Sequence, residues 1–318
     1  MILKKSILML AVLSGASLAE PAQAQFVSQQ VIAVESSTSS TQEFLQGAKG
    51  SAVILAGHLR LAKPGPKQPV VVLMHGGAGL GGWNGVTNEW ARVLNEAGIS
   101  TFNLDSFTGR QKFAPAEQAA LPAIIRMHDA YAALNVLSKH PLVDAEKIVV
   151  MGFSQGSVAA MYANLARFQK QYGPSAKFAA HISVYGICSI KYREDEDLQT
   201  PLLMVHGAAD DWVPAAPCAE FAERLTKAGK NVRMITYQDA FHGFDGPAVG
   251  PVKKFDLATG GYCRLQESDN GSIVNSDTQK PLADGDACRR KGVSLGYNET
   301  AMKKAHEDVL TFLRGVFK

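Results

Sequence analysis

The sequence predicts an α/β fold: a mostly parallel central sheet with helices on both faces. Two observations carry this. Short apolar runs rich in β-branched residues alternate with helical patterns of ten or more residues along most of the chain. Such spacing requires crossover connections, which lay the strands parallel and the helices on both faces. The run at 69–74, Pro-Val-Val-Val-Leu-Met, has no polar face at all. That is the signature of a strand covered on both sides.

Residues 25–50 are polar and rich in Ser, Thr and Gln, which reads as a loose leader or an edge segment. A weakly alternating strand is expected at 51–61, then a turn at Lys63-Pro64-Gly65-Pro66, then the covered strand. Helical spacing at 90–97 stops at Gly98, and a short strand follows at 100–104. The longest helical pattern runs over 116–139, broken by Pro122 near its start. A strand, a turn and a helix occupy 148–172. Strands are expected at 181–185, 202–205 and 231–237, with a helix at 219–228. An amphipathic helix closes the chain at 299–317, with Asn298 as its N-cap. No internal repeat is present. The region 246–297 has many Gly, Asp, Asn and Ser residues and little periodicity, and reads as a long loop-rich insert.

The first residues read as a targeting segment. Lys4 and Lys5 precede an apolar run from 7 to 18, and Ala22-Gln23-Ala24 supplies a small-x-small cleavage site. This is the pattern of a secretory signal peptide, 1–24, too short and wrongly flanked for a membrane anchor. The expected mature chain, 25–318, suits one domain in the periplasm or outside the cell, with no membrane anchor after cleavage. A net charge of +3, with no basic run or aromatic-basic interleaving, gives nucleic acid no footing. The four cysteines, Cys188, Cys218, Cys263 and Cys288, read as disulfides in an exported chain. Sequence proximity favours Cys188–Cys218 with Cys263–Cys288, because the second pair brackets part of the insert; free buried thiols are the competing reading. No Cys-x-x-Cys or His-rich spacing suggests zinc, and the Asp/Asn-rich loop lacks the ligand spacing of a calcium site.

The chemistry concentrates at Gly152-Phe153-Ser154-Gln155-Gly156, between the apolar run 148–151 and a small-residue helix. Strand, Gly-x-Ser-x-Gly and helix in that order make a sharp turn that projects the serine hydroxyl out of the sheet. A serine becomes nucleophilic only when a nearby base takes its proton, and an imidazole serves best when a carboxylate orients it. Two later strands end in such groups. The strand at 202–205 runs into His206-Gly207-Ala208-Ala209-Asp210-Asp211-Trp212-Val213-Pro214, and the strand at 232–237 into Gln238-Asp239-Ala240-Phe241-His242-Gly243-Phe244. Either Asp210 or Asp211 can serve as the acid, and His242 is the base; His206 reads as a structural hydrogen-bonder. His58, His128, His140, His181 and His306 fall on strand or helix faces or at a helix end, where a structural role suffices. The backbone N–H of Gln155, directly after the nucleophile, is one expected oxyanion donor. The loop His75-Gly76-Gly77-Ala78-Gly79 is the expected source of the other.

With these motifs the chain resembles the dienelactone hydrolase family of the α/β-hydrolase fold, over roughly residues 50–245 and the closing helix. The resemblance selects Asp210, four residues after His206, and assigns the second oxyanion donor to Gly77. It departs from the name-giving enzymes in two ways. Those carry a cysteine nucleophile, where this chain has Ser154. They hold an anionic substrate with two arginines. The segment Asp105-Ser106-Phe107-Thr108-Gly109-Arg110-Gln111 resembles the one bearing the first, which makes Arg110 a substrate-binding candidate; the alternative is a salt bridge to Asp105. Gly246 stands where the second would be. The expectation is a serine hydrolase that cleaves a small-molecule carboxylic ester or lactone through an acyl-enzyme, with no metal or organic cofactor. A peptidase or acyltransferase would use the same residues, and a non-catalytic binding protein could retain the same scaffold.

Overall fold

A computed structural model describes residues 28–81 and 85–318, so the expected signal segment 1–24 lies outside the described residues. The described part begins with β1 (Ser28–Thr38), one helical turn α1 (Thr41–Leu45), β2 (Ser51–Leu61), β3 (Gln68–Met74), α2 (Val86–Glu96) and β4 (Ser100–Asp105). Next come α3 (Pro115–Ala120), α4 (Met127–Leu137), β5 (Val143–Phe153), α5 (Gln155–Tyr162), α6 (Ala166–Tyr172) and β6 (Ala180–Val184). The two-residue β7 (Ile190–Lys191), β8 (Leu202–Gly207), α7 (Ala215–Lys227) and β9 (Val232–Tyr237) follow. Then β10 (Lys253–Thr259), β11 (Leu265–Glu267), β12 (Ile273–Asn275) and β13 (Arg290–Leu295) lead into the closing helix α8 (Glu299–Val316).

The main sheet has eight strands in the order β1-β2-β4-β3-β5-β6-β8-β9. From β4 to β9 every pairing is parallel, while β1–β2 and β2–β4 are antiparallel. Because successive side chains point to opposite faces, β3 feeds two cores. Val70, Val72 and Met74 pack with residues of α4, α5 and α7, whereas Val71 and Leu73 pack with residues of α2 and α8. Both faces are thus covered by helices, as the unbroken apolar run requires.

Four stretches sharpen the sequence expectation or differ from it. Of the two readings for 25–50, the edge segment holds over 28–38, an eleven-residue strand paired with β2 from Ser28↔Leu61 to Thr38↔Ser51. Its Ser, Thr and Gln residues suit an edge with one face in water. The expected helix over 116–139 is three pieces: α3, a 3₁₀ turn at Ala123–Arg126, and α4. Pro122 forces Leu121 into an extended conformation (φ −73°, ψ 118°), which ends α3. Helix also pauses between α5 and α6, where Leu165 is extended and bridges to Leu198. The insert 246–297 contains β10 to β13. β10 pairs with β13, and β11 sits between β12 and β7. β11 and β12 have three residues each, too short to display a period, and β10 is exposed along most of its length, so little apolar patterning marks the region.

Candidate active site

Ser154 sits between β5 and α5 with φ 50° and ψ −117°, backbone angles that a residue with a side chain rarely adopts. Two glycines allow the turn. A Cβ on Gly152 would collide with the carbonyl oxygen of Gly156, and one on Gly156 with that of Met74. The Ser154 N–H donates to the Val184 carbonyl at 3.0 Å, tying the turn to β6.

Loops after β8 and β9 bring the partners. Ser154 Oγ lies 3.0 Å from His242 Nε2, and His242 Nδ1 lies 2.8 Å from Asp210 Oδ2. A carboxylate only accepts, so Nδ1 carries the hydrogen and the Nε2 lone pair faces the serine. Asp210 Oδ1 accepts the N–H groups of Trp212 (3.0 Å) and Val213 (2.8 Å). Burial alone would raise its pKa, but attraction to His242 in its protonated form, the hydrogen bond from His242 and the nearby His206 ring at 3.6 Å outweigh burial and hold the carboxyl well below the usual range. Asp210 is therefore an anion at any working pH. The His242 ring packs between Tyr185 (4.7 Å between centroids) and Trp212 (5.2 Å).

The remaining polar groups fall into place around this chain. Gln155 opens α5, where the first N–H groups have no partner within the helix. The Gly77 loop lies against it: a Cβ on Gly77 would come within 3.0 Å of the Gln155 side chain. Both residues line the same cavity as Ser154. His75 is not a second base. Its Nδ1–H donates to the Gly76 carbonyl at 2.7 Å, and Nε2 accepts the Ser106 N–H at 3.1 Å. Burial, then the neighbouring charge of Arg126, depresses its pKa to about 3, so it stays neutral. His206 Nε2–H donates to the Val213 carbonyl at 2.8 Å, a structural bond within the acid loop. Asp211 points away from His242 chemistry and accepts the N–H and hydroxyl of Ser294. Both expected disulfides are present, Cys188–Cys218 and Cys263–Cys288. Among the described residues no group of three or more His, Cys, Asp or Glu side chains is placed to hold a metal ion.

The family model for the dienelactone hydrolase family matches residues 57–317. The chain belongs to that family. Among solved structures it is similar to a putative dienelactone hydrolase from Klebsiella pneumoniae, with 16% identity and a TM-score of 0.55, covering 90% of this chain and 99% of that one. A dienelactone hydrolase-like promiscuous phosphotriesterase from metagenomic libraries gives 17% identity and a TM-score of 0.54 over 91% of this chain and 98% of that one. At these identities the likeness concerns the fold. Among curated proteins, a probable 2-oxo-3-(5-oxofuran-2-ylidene)propanoate lactonase from Bradyrhizobium is 26% identical over 128 residues, 37% of this chain and 48% of that protein. An acyl-protein thioesterase 1 from Neurospora crassa is 30% identical over 105 residues, 31% of this chain and 41% of that protein. The chain thus spans less than half the length of each of these curated relatives.

Against the dienelactone hydrolase pattern, Arg110 does not reach the cavity. Its guanidinium is buried and paired with Asp129 through two bonds, Nη2–Oδ1 at 2.7 Å and Nη1–Oδ2 at 2.9 Å. Its other donors meet the carbonyls of Ser37 and Ser106 and the hydroxyl of Thr38. The expected alternative, a bridge to Asp105, is also absent. The Asp105 carboxylate instead caps the N–H groups of Phe107 and Thr108. The partner of Arg110 lies on α4, a contact that local sequence does not display.

The sequence assigns no role to three residues around His242. Tyr185 follows β6 with φ 38°, and Trp212 lies beside Asp210; both line the cavity. Asp245, three residues after His242, is fully buried and accepts Trp90 Nε1–H at 2.7 Å. Burial pushes its carboxyl up to about 6 against that hydrogen bond. The rule that reactive groups gather at the carboxyl ends of parallel strands could have flagged Tyr185. The same rule covers Asp245, which lies on the loop after β9, but its burial and its bond to Trp90 have no local signal.

Proposed function

We propose that the protein is a serine esterase that cleaves a carboxylic ester or lactone through an acyl-enzyme. The observation that carries this reading is the chain Ser154–His242–Asp210, with links of 3.0 and 2.8 Å, opening on a cavity of about 790 Å³. Ser154 Oγ attacks the carbonyl carbon as its proton passes to His242 Nε2. The amides of Gln155 and Gly77 stabilise the negative oxygen that develops. Collapse expels the alkoxide, which takes the proton from Nε2. Water then attacks the acyl group, gives its proton to His242, and releases the acid with Ser154 restored. A lactone carbonyl follows the same route with the alkoxide still tethered, in keeping with the name of the Bradyrhizobium relative.

The residues from 25 to 318 would act as an exported protein. Lys4, Lys5, the apolar run and Ala22-Gln23-Ala24 support export, as does the pairing of all four cysteines. A mature N-terminus at Gln25, read by intact mass of the protein recovered from the periplasm or medium, is the expected sign.

Turnover of p-nitrophenyl acetate tests the enzymatic reading. Ser154→Ala is expected to lower kcat by at least about 10,000-fold while the fold is retained. Full activity in that variant would remove Ser154 from the mechanism.

A further inference from the structure

We propose that the insert 246–297 selects the substrate: it builds an uncharged, apolar wall that admits neutral esters with a bulky hydrophobic group and rejects esters carrying a carboxylate. The proposal rests on the esterase reading above and adds the class of ester.

One side of the cavity is formed by Ala116 and Ala119 of α3, and another by insert residues that include Leu257, Leu265, Leu282 and Leu295. Among the described residues that line it there is no Lys, Arg, Asp or Glu. The one arginine expected there, Arg110, is engaged by Asp129. An anionic acyl chain would therefore leave water for an apolar surface with no counter-charge, which is strongly unfavourable. A neutral aryl or medium-length alkyl group would lose only its apolar contact with water, which is favourable. A cavity of about 790 Å³ accommodates a group much larger than acetyl.

The wall is anchored on several sides. Cys263–Cys288 closes the insert on itself. Thr259 Oγ1 donates to the Trp212 carbonyl at 2.6 Å, and Tyr262 to that of Asp211 at 3.3 Å. Glu267, fully buried on β11, pairs with Arg167 at 2.8 Å and Arg193 at 3.1 Å. Leu295 bridges to His242, and the Gly296 N–H donates to the His242 carbonyl at 3.2 Å. The wall is thereby joined to both the acid loop and the histidine loop, so its position relative to Ser154 is fixed.

The test compares two p-nitrophenyl esters of equal acyl length, hexanoate and the monoester of adipate, which differ by a terminal methyl against a carboxylate. The expected kcat/KM of the intact protein is at least about 100-fold higher for the hexanoate. Leu257→Lys, at the half-exposed mouth of the cavity, should narrow that ratio by about 10-fold by favouring the adipate ester. Leu282→Lys provides the same readout from a second position. Equal rates on the two esters in the wild type, or a preference for adipate, would overturn the proposal while leaving the esterase reading intact. Absence of turnover on every ester, with no adduct at Ser154, would overturn both.

Discussion

Asp211 accepts two hydrogen bonds from Ser294, the backbone N–H at 2.6 Å and the hydroxyl at 2.8 Å. These two neighbouring aspartates divide their work: Asp210 faces His242, and Asp211 fastens β13 of the insert to the same loop. Asp210→Asn should lower kcat by about 10,000-fold, because the amide N–H would face His242 Nδ1, put the ring hydrogen on Nε2 and leave no charge to stabilise the imidazolium. Asp211→Ala should act mainly on KM for bulky esters, with kcat on p-nitrophenyl acetate reduced less than about 10-fold. Steady-state kinetics of both variants decide, and a larger kcat loss in Asp211→Ala would reverse the assignment.

Arg110 offers a second test, since it is a structural residue in this fold. Removing one partner of a buried ion pair strands the other charge. Arg110→Ala leaves the Asp129 carboxylate buried without its guanidinium, so a loss of about 3–5 kcal/mol in unfolding free energy is expected from denaturant titration. Selectivity between neutral and anionic esters should not change. A stable Arg110→Ala protein with altered selectivity would return Arg110 to the cavity.

Asp245 gives stability a pH dependence of defined sign. Its folded pKa is raised to about 6, whereas an aspartate in an unfolded chain titrates near pH 4. Between those values the folded state holds more protons than the unfolded one. Stability from this group therefore falls as pH rises from about 4 to 6, by about 2 kcal/mol, and is flat above. Asp245→Asn should keep the acceptor for Trp90 Nε1–H and remove that slope. Melting curves of both proteins at pH 4.5 and pH 8 measure it. Identical pH profiles would mean that Asp245 ionises without penalty.

Much of the site was legible because its determinants are local. Gly152, Ser154 and Gly156 announce a turn that only that spacing allows, and His242 stands directly after an apolar strand. Asp210 was separable from Asp211 only by resemblance, since the Ser294 partner lies 83 residues away. Arg110 was misread for the same reason: Asp129 is distant in sequence, and no periodic pattern encodes the pair. The helices of both faces followed from hydrophobic spacing, whereas β1 is only one of two readings of its stretch, because an edge strand buries too little to exclude Ser, Thr and Gln. In the insert, β11 and β12 are too short to show a period, and the contacts that tie it to the loops bearing Asp210 and His242 are long-range in sequence.

The central claim is that Ser154 is a nucleophile activated by His242. Fluorophosphonate labelling of the folded protein, followed by peptide mass mapping, measures this directly. The expected result is a single adduct on Ser154 in the wild type, with labelling slowed by at least about 1,000-fold in His242→Ala. An adduct on another residue, no adduct at all, or undiminished labelling in His242→Ala would contradict it.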